Sequence, residues 1–394
     1  MHEIWAFHPL GSCHVPWSFR LFGVLPRGDS DLRARGDRDH TTPEATTNDN
    51  GATFRVVVTN SAGHADSNEA TLTANPASAP TAIIADHTAV DRYSAIPQAY
   101  IDLVKKMWFD LPGESHSSGY RHGLQFLAEA NGKYAASITE SGTPEASTDQ
   151  HLRASRAYRS QYGAWSYGSG EANWYTNTTC IAETKGHLDY CNANALAPAA
   201  MGFGWCWDMS WNNDPGGTLD PVFKVHWAGS SEGGPQGNRR WGLDAGDQAL
   251  TGNTVCMDTY LAATQAYVDY CTSKGYATKV FFTTGPVDTY SGENGYQRQL
   301  KHDYIRTYVA ANPSRILFDY ADILTWSDAG NQNLQTWTDG DGGVHSYQMI
   351  HGDNMLDRNG SYSEDGDHIG ERGALRLGKA VWWMLARMAG WDGQ

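Results

Sequence analysis

The stretch MWFDLPGESHSSGYRHGLQFL, Met107–Leu127, changes its period in the middle. Met107 to Leu111 is a short apolar run and predicts a buried strand. Gly113-Glu114-Ser115 then turns the chain. Tyr120, Leu124 and Leu127 recur at helical spacing, and Asn131-Gly132 closes that helix. A strand that passes through a tight turn into a helix is the opening of a strand–helix–strand unit.

The same alternation continues on both sides. Pro97 opens a helix whose Tyr100, Ile101 and Val104 share a face. Tyr134 to Ile138 predicts the next strand, which ends at Gly142. Ala200 to Trp207, Lys279 to Thr283 and Arg315 to Phe318 predict three more. Val255 to Ser273 predicts a helix stopped by Gly275, and Glu371 to Met388 a helix with Leu377, Val381, Met384 and Met388 in register. Strands that alternate with helices imply a parallel sheet covered on both faces, a three-layer α/β/α domain from residue 82 to residue 394. Sites in such sheets lie at the carboxyl ends of the strands.

The chain has 394 residues, which suits two domains. Residues 1–40 show no periodicity and no clear signal peptide, and are left unassigned. Residues 41–75 change character: Phe54 to Asn60 and Ser67 to Thr73 predict strands around the Ser61-Ala62-Gly63 turn. This hairpin resembles the last strands of a bacterial immunoglobulin-like domain, with too little chain before it for the usual seven strands. Residues 76–81 read as a linker.

Lys+Arg 29 against Asp+Glu 44 gives a net charge of −15, which argues against nucleic acid or an anionic membrane as partner. No run of 18 apolar residues is present to span a bilayer. Low charge, 15 Trp, 20 Tyr and 42 Gly suit an extracellular protein that handles sugars. The six Cys form no CxxC pair. Cys180 and Cys191 flank a loop-like segment and are candidates for a local disulfide. Cys256 and Cys271 lie about 22 Å apart along one helix and cannot bond. Cys206 and Cys271 read as core residues.

The chemistry-bearing residues sit at the two ends of the large domain. Ser115 follows a strand and opens a helix, where its amide and the helix's first N–H groups face any developing negative charge. A serine needs a base to take its proton, and the base needs a carboxylate to orient it. Asp365 and His368, three apart on the turn before the last helix, offer both. A capping role for Ser115 and a helix-start role for Asp365 are the structural alternatives. Asp367 also competes as orienter, although adjacent side chains usually point apart.

These blocks resemble the SGNH (GDSL-type) hydrolase family. Gly113-Glu114-Ser115 stands for the family's Gly-Asp-Ser, Gly142 for its second block and Asp365-Gly366-Asp367-His368 for its Asp-x-x-His. The third block, Gly-x-Asn-Asp, is not kept: after Gly204 stand Cys206 and Trp207. The resemblance spans Ala82 to Trp391. It implies a secreted serine esterase in which Ser115 attacks, His368 moves the proton and Asp365 orients it. The Ser115 and Gly142 amides would hold the oxyanion, with the Trp207 indole, Asn212 or Asn213 replacing the missing donor. O-acetyl esters on polysaccharide are the expected substrate, with Trp205, Trp207 and Trp211 as sugar-stacking candidates and core packing as their alternative. A general carboxylesterase or lipase on small or polyester substrates is the second reading, and a non-catalytic carbohydrate-binding or adhesion protein the third. The long segments Ser160–Pro198 and Trp211–Thr254 are read as loops that set substrate choice. No cofactor and no metal are expected: there is no His-Glu-x-x-His, and Asp339 to Gly343 reads as a plain turn.

Overall fold

The computed structural model describes residues 18–23, 51–60, 63–71, 82–157, 159–161, 164–167, 171–196, 198–206, 208–210, 218–229, 240–287, 290–366 and 368–393. The chain divides into two compact units, Met1–Pro80 and Thr81–Gln394.

In the first unit β1 (Ser18–Gly23) runs antiparallel to β2 (Thr53–Asn60). The other edge of β2 takes β3 (Gly63–Asp66) and β4 (Ala70–Thr71). From the Val57–Asp66 pair to the Thr53–Thr71 pair, β2 advances four residues and its partner five. One extra residue is therefore taken up near Ser67–Glu69, as in a β-bulge. The expected hairpin is present. Its second arm starts at Gly63 rather than Ser67, and Ser18–Gly23, inside the stretch left without a fold, supplies a further strand.

The second unit is α/β. Its chain order is β5 (Ile83–Ala85), α1 (His87–Arg92), α2 (Gln98–Lys105), β6 (Trp108–Asp110), α3 (Ser115–Ala130), β7 (Ala136–Thr139) and β8 (Leu152–Ser155). Next come a hairpin of β9 (Arg159–Gln161) and β10 (Ala164–Ser166), then α4 (Glu171–Tyr175), α5 (Thr178–Ala193) and β11 (Ala200–Met201). Then follow α6 (Gln248–Thr251), α7 (Met257–Lys274), β12 (Lys279–Val280), β13 (Phe282–Thr283), α8 (Glu293–Ala310), β14 (Ile316–Phe318) and α9 (Tyr320–Thr325). A hairpin of β15 (Leu334–Thr338) and β16 (Val344–Gln348) precedes α10 (Glu371–Met388). Asp339 to Gly343 is the turn of that hairpin, where Asp339 Oδ1 accepts the Asp341 and Gly343 amides at 2.9 and 2.8 Å.

Five parallel strands lie in the order β12-β11-β6-β8-β7, and three more in the order β13-β14-β5. The two ladders share one run of chain. Lys279 and Val280 pair with Ala200 and Met201, while Phe282 and Thr283 pair with Leu317 and Phe318. Phe281, between them, donates its amide to the Met201 carbonyl at 3.0 Å.

Alternate residues of these strands enter two separate cores, as the two-residue period of a strand requires. Phe281, Ala200, Ile316 and Phe318 join one core with Leu124 of α3 and Leu377, Val381 and Met384 of α10. Val280, Phe282, Met201 and Leu317 join the other with Tyr260 and Leu261 of α7 and Ile305 and Val309 of α8. Each fully buried Phe or Leu contributes about 1.5–3 kcal/mol. The sheet is thus buried on both sides, which is why its strands read as apolar runs.

One helix pairing positions the site. A Cβ built on Gly123 of α3 would lie 1.8 Å from the Ala374 carbonyl oxygen, and one on Gly378 of α10 would lie 2.4 Å from the Gly123 oxygen. The two backbones touch there. Near the start of α3, a Cβ on Gly119 would stand 3.0 Å from the Gly366 oxygen, in the turn before α10. The two helices therefore begin side by side, and residues far apart in sequence meet.

Several expectations are corrected. Cys180 and Cys191 both lie on α5, about 16 Å apart along its axis, too far to bond each other. Ser160–Pro198 is not one long loop, since α4 and α5 occupy much of it. Among the described residues the third strand, expected to reach Trp207, stops at Met201, with an isolated bridge at Gly204 beyond it.

Candidate active site

Strand β6 is flanked by β8 and β11; α3, which follows β6, packs into one core through Leu124, and α7, which follows β11, packs into the other through Tyr260 and Leu261. Such a reversal opens a crevice beyond the carboxyl ends of the strands. Here the two strand ends are pinned backbone to backbone. Gly113 and Gly204 form a parallel bridge. The Glu114 amide donates to the Gly204 carbonyl at 3.0 Å, and the Gly204 amide donates to the Pro112 carbonyl at 2.9 Å. Gly113 sits at φ +141°, and a Cβ there would be 2.1 Å from the Gly204 oxygen. A Cβ on Gly204 would stand 2.3 Å from Ser117 Cβ. No larger residue fits either position, which fixes where Ser115 emerges.

Ser115 is the first helical residue of α3, and extended Glu114 holds the N-cap position without a side-chain capping bond. Capping is therefore not what Ser115 does. Among the described residues no hydrogen bond engages its half-buried hydroxyl. Its amide belongs to the first turn of a 16-residue helix, where N–H groups have no intrahelical acceptor and the helix dipole favours negative charge.

The segment that carries His368 closes over this turn. The His368 ring centroid lies 4.8 Å from that of His116, the residue after Ser115. His368 is half-buried and has φ +63°, a left-handed backbone that costs a histidine about 1–2 kcal/mol. The turn is held by the Gly366 amide on the Ile369 carbonyl at 2.9 Å and the Gly370 amide on the Asn354 carbonyl at 2.8 Å. Strain of this kind collects at functional sites. His116 is buried, and burial, then the charge of His368, push its imidazole down to about 3, so it stays neutral.

The other expected residues fall as follows. Asp365 is exposed, with its amide on Ser363 Oγ at 3.0 Å. No hydrogen bond joins its carboxylate to His368 among the described contacts. Gly142 is exposed and its carbonyl accepts the Tyr167 hydroxyl. It follows β7, and β8 lies between β7 and β6, so Gly142 is two strand spacings from the Ser115 strand, about 10 Å. Trp205 is 2 % exposed. It packs edge-on against Tyr260 at 4.7 Å and donates its indole N–H to the Thr283 carbonyl at 3.3 Å. It is a core residue and offers no face for a sugar. Trp382 and Trp383 are buried in the core. Trp207, Trp211, Asn212, Asn213 and Asp367 lie outside the described residues.

Two groups were not singled out from the sequence. Beneath the crevice, at the end of β6, Asp110 and His187 are both buried and paired, Oδ2 to Nε2 at 3.0 Å. Ser155 donates to Asp110 Oδ1 at 3.0 Å, and the Trp108 indole donates to Ser155 at 2.9 Å. Burial raises the Asp110 carboxyl, against the lowering effect of its His187 and Ser155 hydrogen bonds. This network ties β6, β8 and α5 together under the site. The second group is at the crevice itself. His116, Cys206 and His368 each offer one donor atom, all within 4.8 Å of one another. Cys206, expected in the core, is half-buried here.

A similar grouping of Asp86, His87 and Asp322 is committed elsewhere. Asp86 accepts the Thr88 amide at 2.9 Å, and Asp322 accepts the His87 amide at 2.9 Å and faces His87 Nδ1 at 2.5 Å. Among the described residues no helix is long and apolar enough to cross a membrane. No family model matches this chain, and no curated protein matches it.

Proposed function

We propose that the large unit is a serine esterase, with Ser115 as nucleophile and His368 as its base. The observation that supports this reading is the approach of the strained His368, at φ +63°, to within 4.8 Å ring to ring of His116, the neighbour of Ser115 in the first turn of the helix that follows a central parallel strand. In this reading His368 takes the Ser115 proton as Oγ attacks the ester carbonyl, and returns it to the leaving alcohol. The developing oxyanion lies against the Ser115 amide and the first turn of α3. Gly204 cannot help, because its amide already serves Pro112.

Asp365 keeps the orienting role. It stands on the same turn as His368, and such hydrogen bonds tighten in many hydrolases only when substrate binds. The residues and their order resemble the SGNH hydrolases. An ester carried on a polysaccharide is the substrate class put forward, without a contribution from Trp205.

A fluorophosphonate probe followed by peptide mapping tests the assignment. Ser115 is expected to carry the label, and Ser115→Ala to lose both label and turnover. Label on another serine, or undiminished turnover in Ser115→Ala, overturns it. Acetylated xylan compared with aryl esters of rising chain length then decides between a carbohydrate esterase and a general carboxylesterase.

A further inference from the structure

We propose that His116, Cys206 and His368 form a binding site for a soft divalent cation, with Zn2+ the best-fitting ion. Its consequence for activity rests on the reading of His368 as the base: the cation and Ser115 then compete for one imidazole, and zinc inhibits.

The three donors come from three separate parts of the chain. His116 is in the first turn of α3, Cys206 follows β11 and His368 precedes α10. The fold gathers one atom from each within 4.8 Å. Tetrahedral zinc, with bonds of about 2.0–2.1 Å to nitrogen and about 2.3 Å to sulfur, sets its donors roughly 3.3–3.8 Å apart. Closing the cluster thus asks for a movement of about 1 Å, and two of the three side chains are half-buried on loops rather than locked in the core. The chemistry of the set is selective. Two imidazoles and a thiolate suit zinc, whereas magnesium and calcium require oxygen donors, and the cluster includes no carboxylate. Binding replaces the thiol proton of Cys206, which is released to solvent. Three protein ligands leave the fourth position for water or another small ligand.

The test uses Co2+ alone as a probe on the full chain. One equivalent is expected to give a cobalt–thiolate charge-transfer band, which added Zn2+ displaces. Cys206→Ser and His116→Gln should each remove the band or weaken cobalt affinity by about 10–100-fold. Absence of a thiolate band in the wild type, or an undiminished band in Cys206→Ser, overturns the site.

Ester turnover provides the second readout. With Zn2+ at about 100 times its dissociation constant, wild-type turnover should fall about 100-fold, while the turnover that Cys206→Ser retains should be unaffected. Turnover that zinc leaves unchanged or raises, with the band present, overturns the competition. A chain that shows the band but no ester turnover at all refutes the esterase reading and leaves the cation site standing.

Discussion

His368 combines an imidazole with a backbone conformation that suits Gly or Asn better. His368→Asn separates the two properties. The midpoint of guanidinium unfolding should hold or rise by up to about 1 kcal/mol in stability, while ester turnover falls by about ten-thousand-fold. A histidine with only a structural role would lower stability when replaced. Two other histidines govern the response to acid. His116 is held down to about 3, and His302 well below its ordinary range by burial and then by Arg306, Arg298 and Lys301. In the unfolded chain each takes a proton near pH ~6.5, which the folded site refuses. The unfolded state therefore binds more protons below that pH. Stability should fall as pH drops from about 6.5, by about 1.4 kcal/mol per pH unit for each histidine, until the His116 share is spent near pH 3. Both ring nitrogens of His302 lack a hydrogen-bond partner among the described residues, so His302→Leu breaks no bond. Denaturant midpoints measured between pH 7 and 4.5 should show a slope shallower by one proton in that variant. Ser115 and His368 were legible because small motifs sat at the ends of recognisable elements. His116 and Cys206 were not: a buried histidine and a lone thiol carry no pattern until the fold places them beside a third donor.

At the scale of elements, α10 reads from the sequence with its observed limits, Glu371–Met388, because a full stripe of Leu, Val and Met faces the core. Helix α5 was missed for the opposite reason. Its inward residues are Cys180, Thr184, His187, Leu188 and Cys191, so little hydrophobic periodicity betrays it. Helix α8 buries Gln297, Arg298, Lys301 and His302 and is equally hard to see. Strand β8 is four residues long and gives no pattern of its own, so its insertion beside β6 could not be foreseen. The α3–α10 contact has a plainer signature, with glycines at 119 and 123 on one helix and Ala374 and Gly378 on the other. Gly123→Val should cost about 3 kcal/mol or unfold the chain, since its Cβ must displace the Ala374 backbone. Thermal unfolding followed by circular dichroism measures this, and Gly132→Ala, where a Cβ meets nothing within 4 Å, is the matched control.

For the whole molecule, the division after Pro80 separates a small antiparallel sheet from a unit with hydrophobic cores of its own. A fragment of residues 81–394 should therefore fold by itself, with a single cooperative melting transition and ester turnover within about two-fold of the full chain. Loss of that transition would show that the first unit is needed for the second to fold. Within the large unit, the pieces of the crevice are made far apart in time. Translation proceeds at roughly 5–20 residues per second, so the histidine turn leaves the ribosome tens of seconds after the serine turn. On the proposed assignment Ser115 has no base throughout that interval, and any product that stops short of α10 stays without one. On that assignment, synthesis carries its own delay between the appearance of the serine and the completion of the site that would use it.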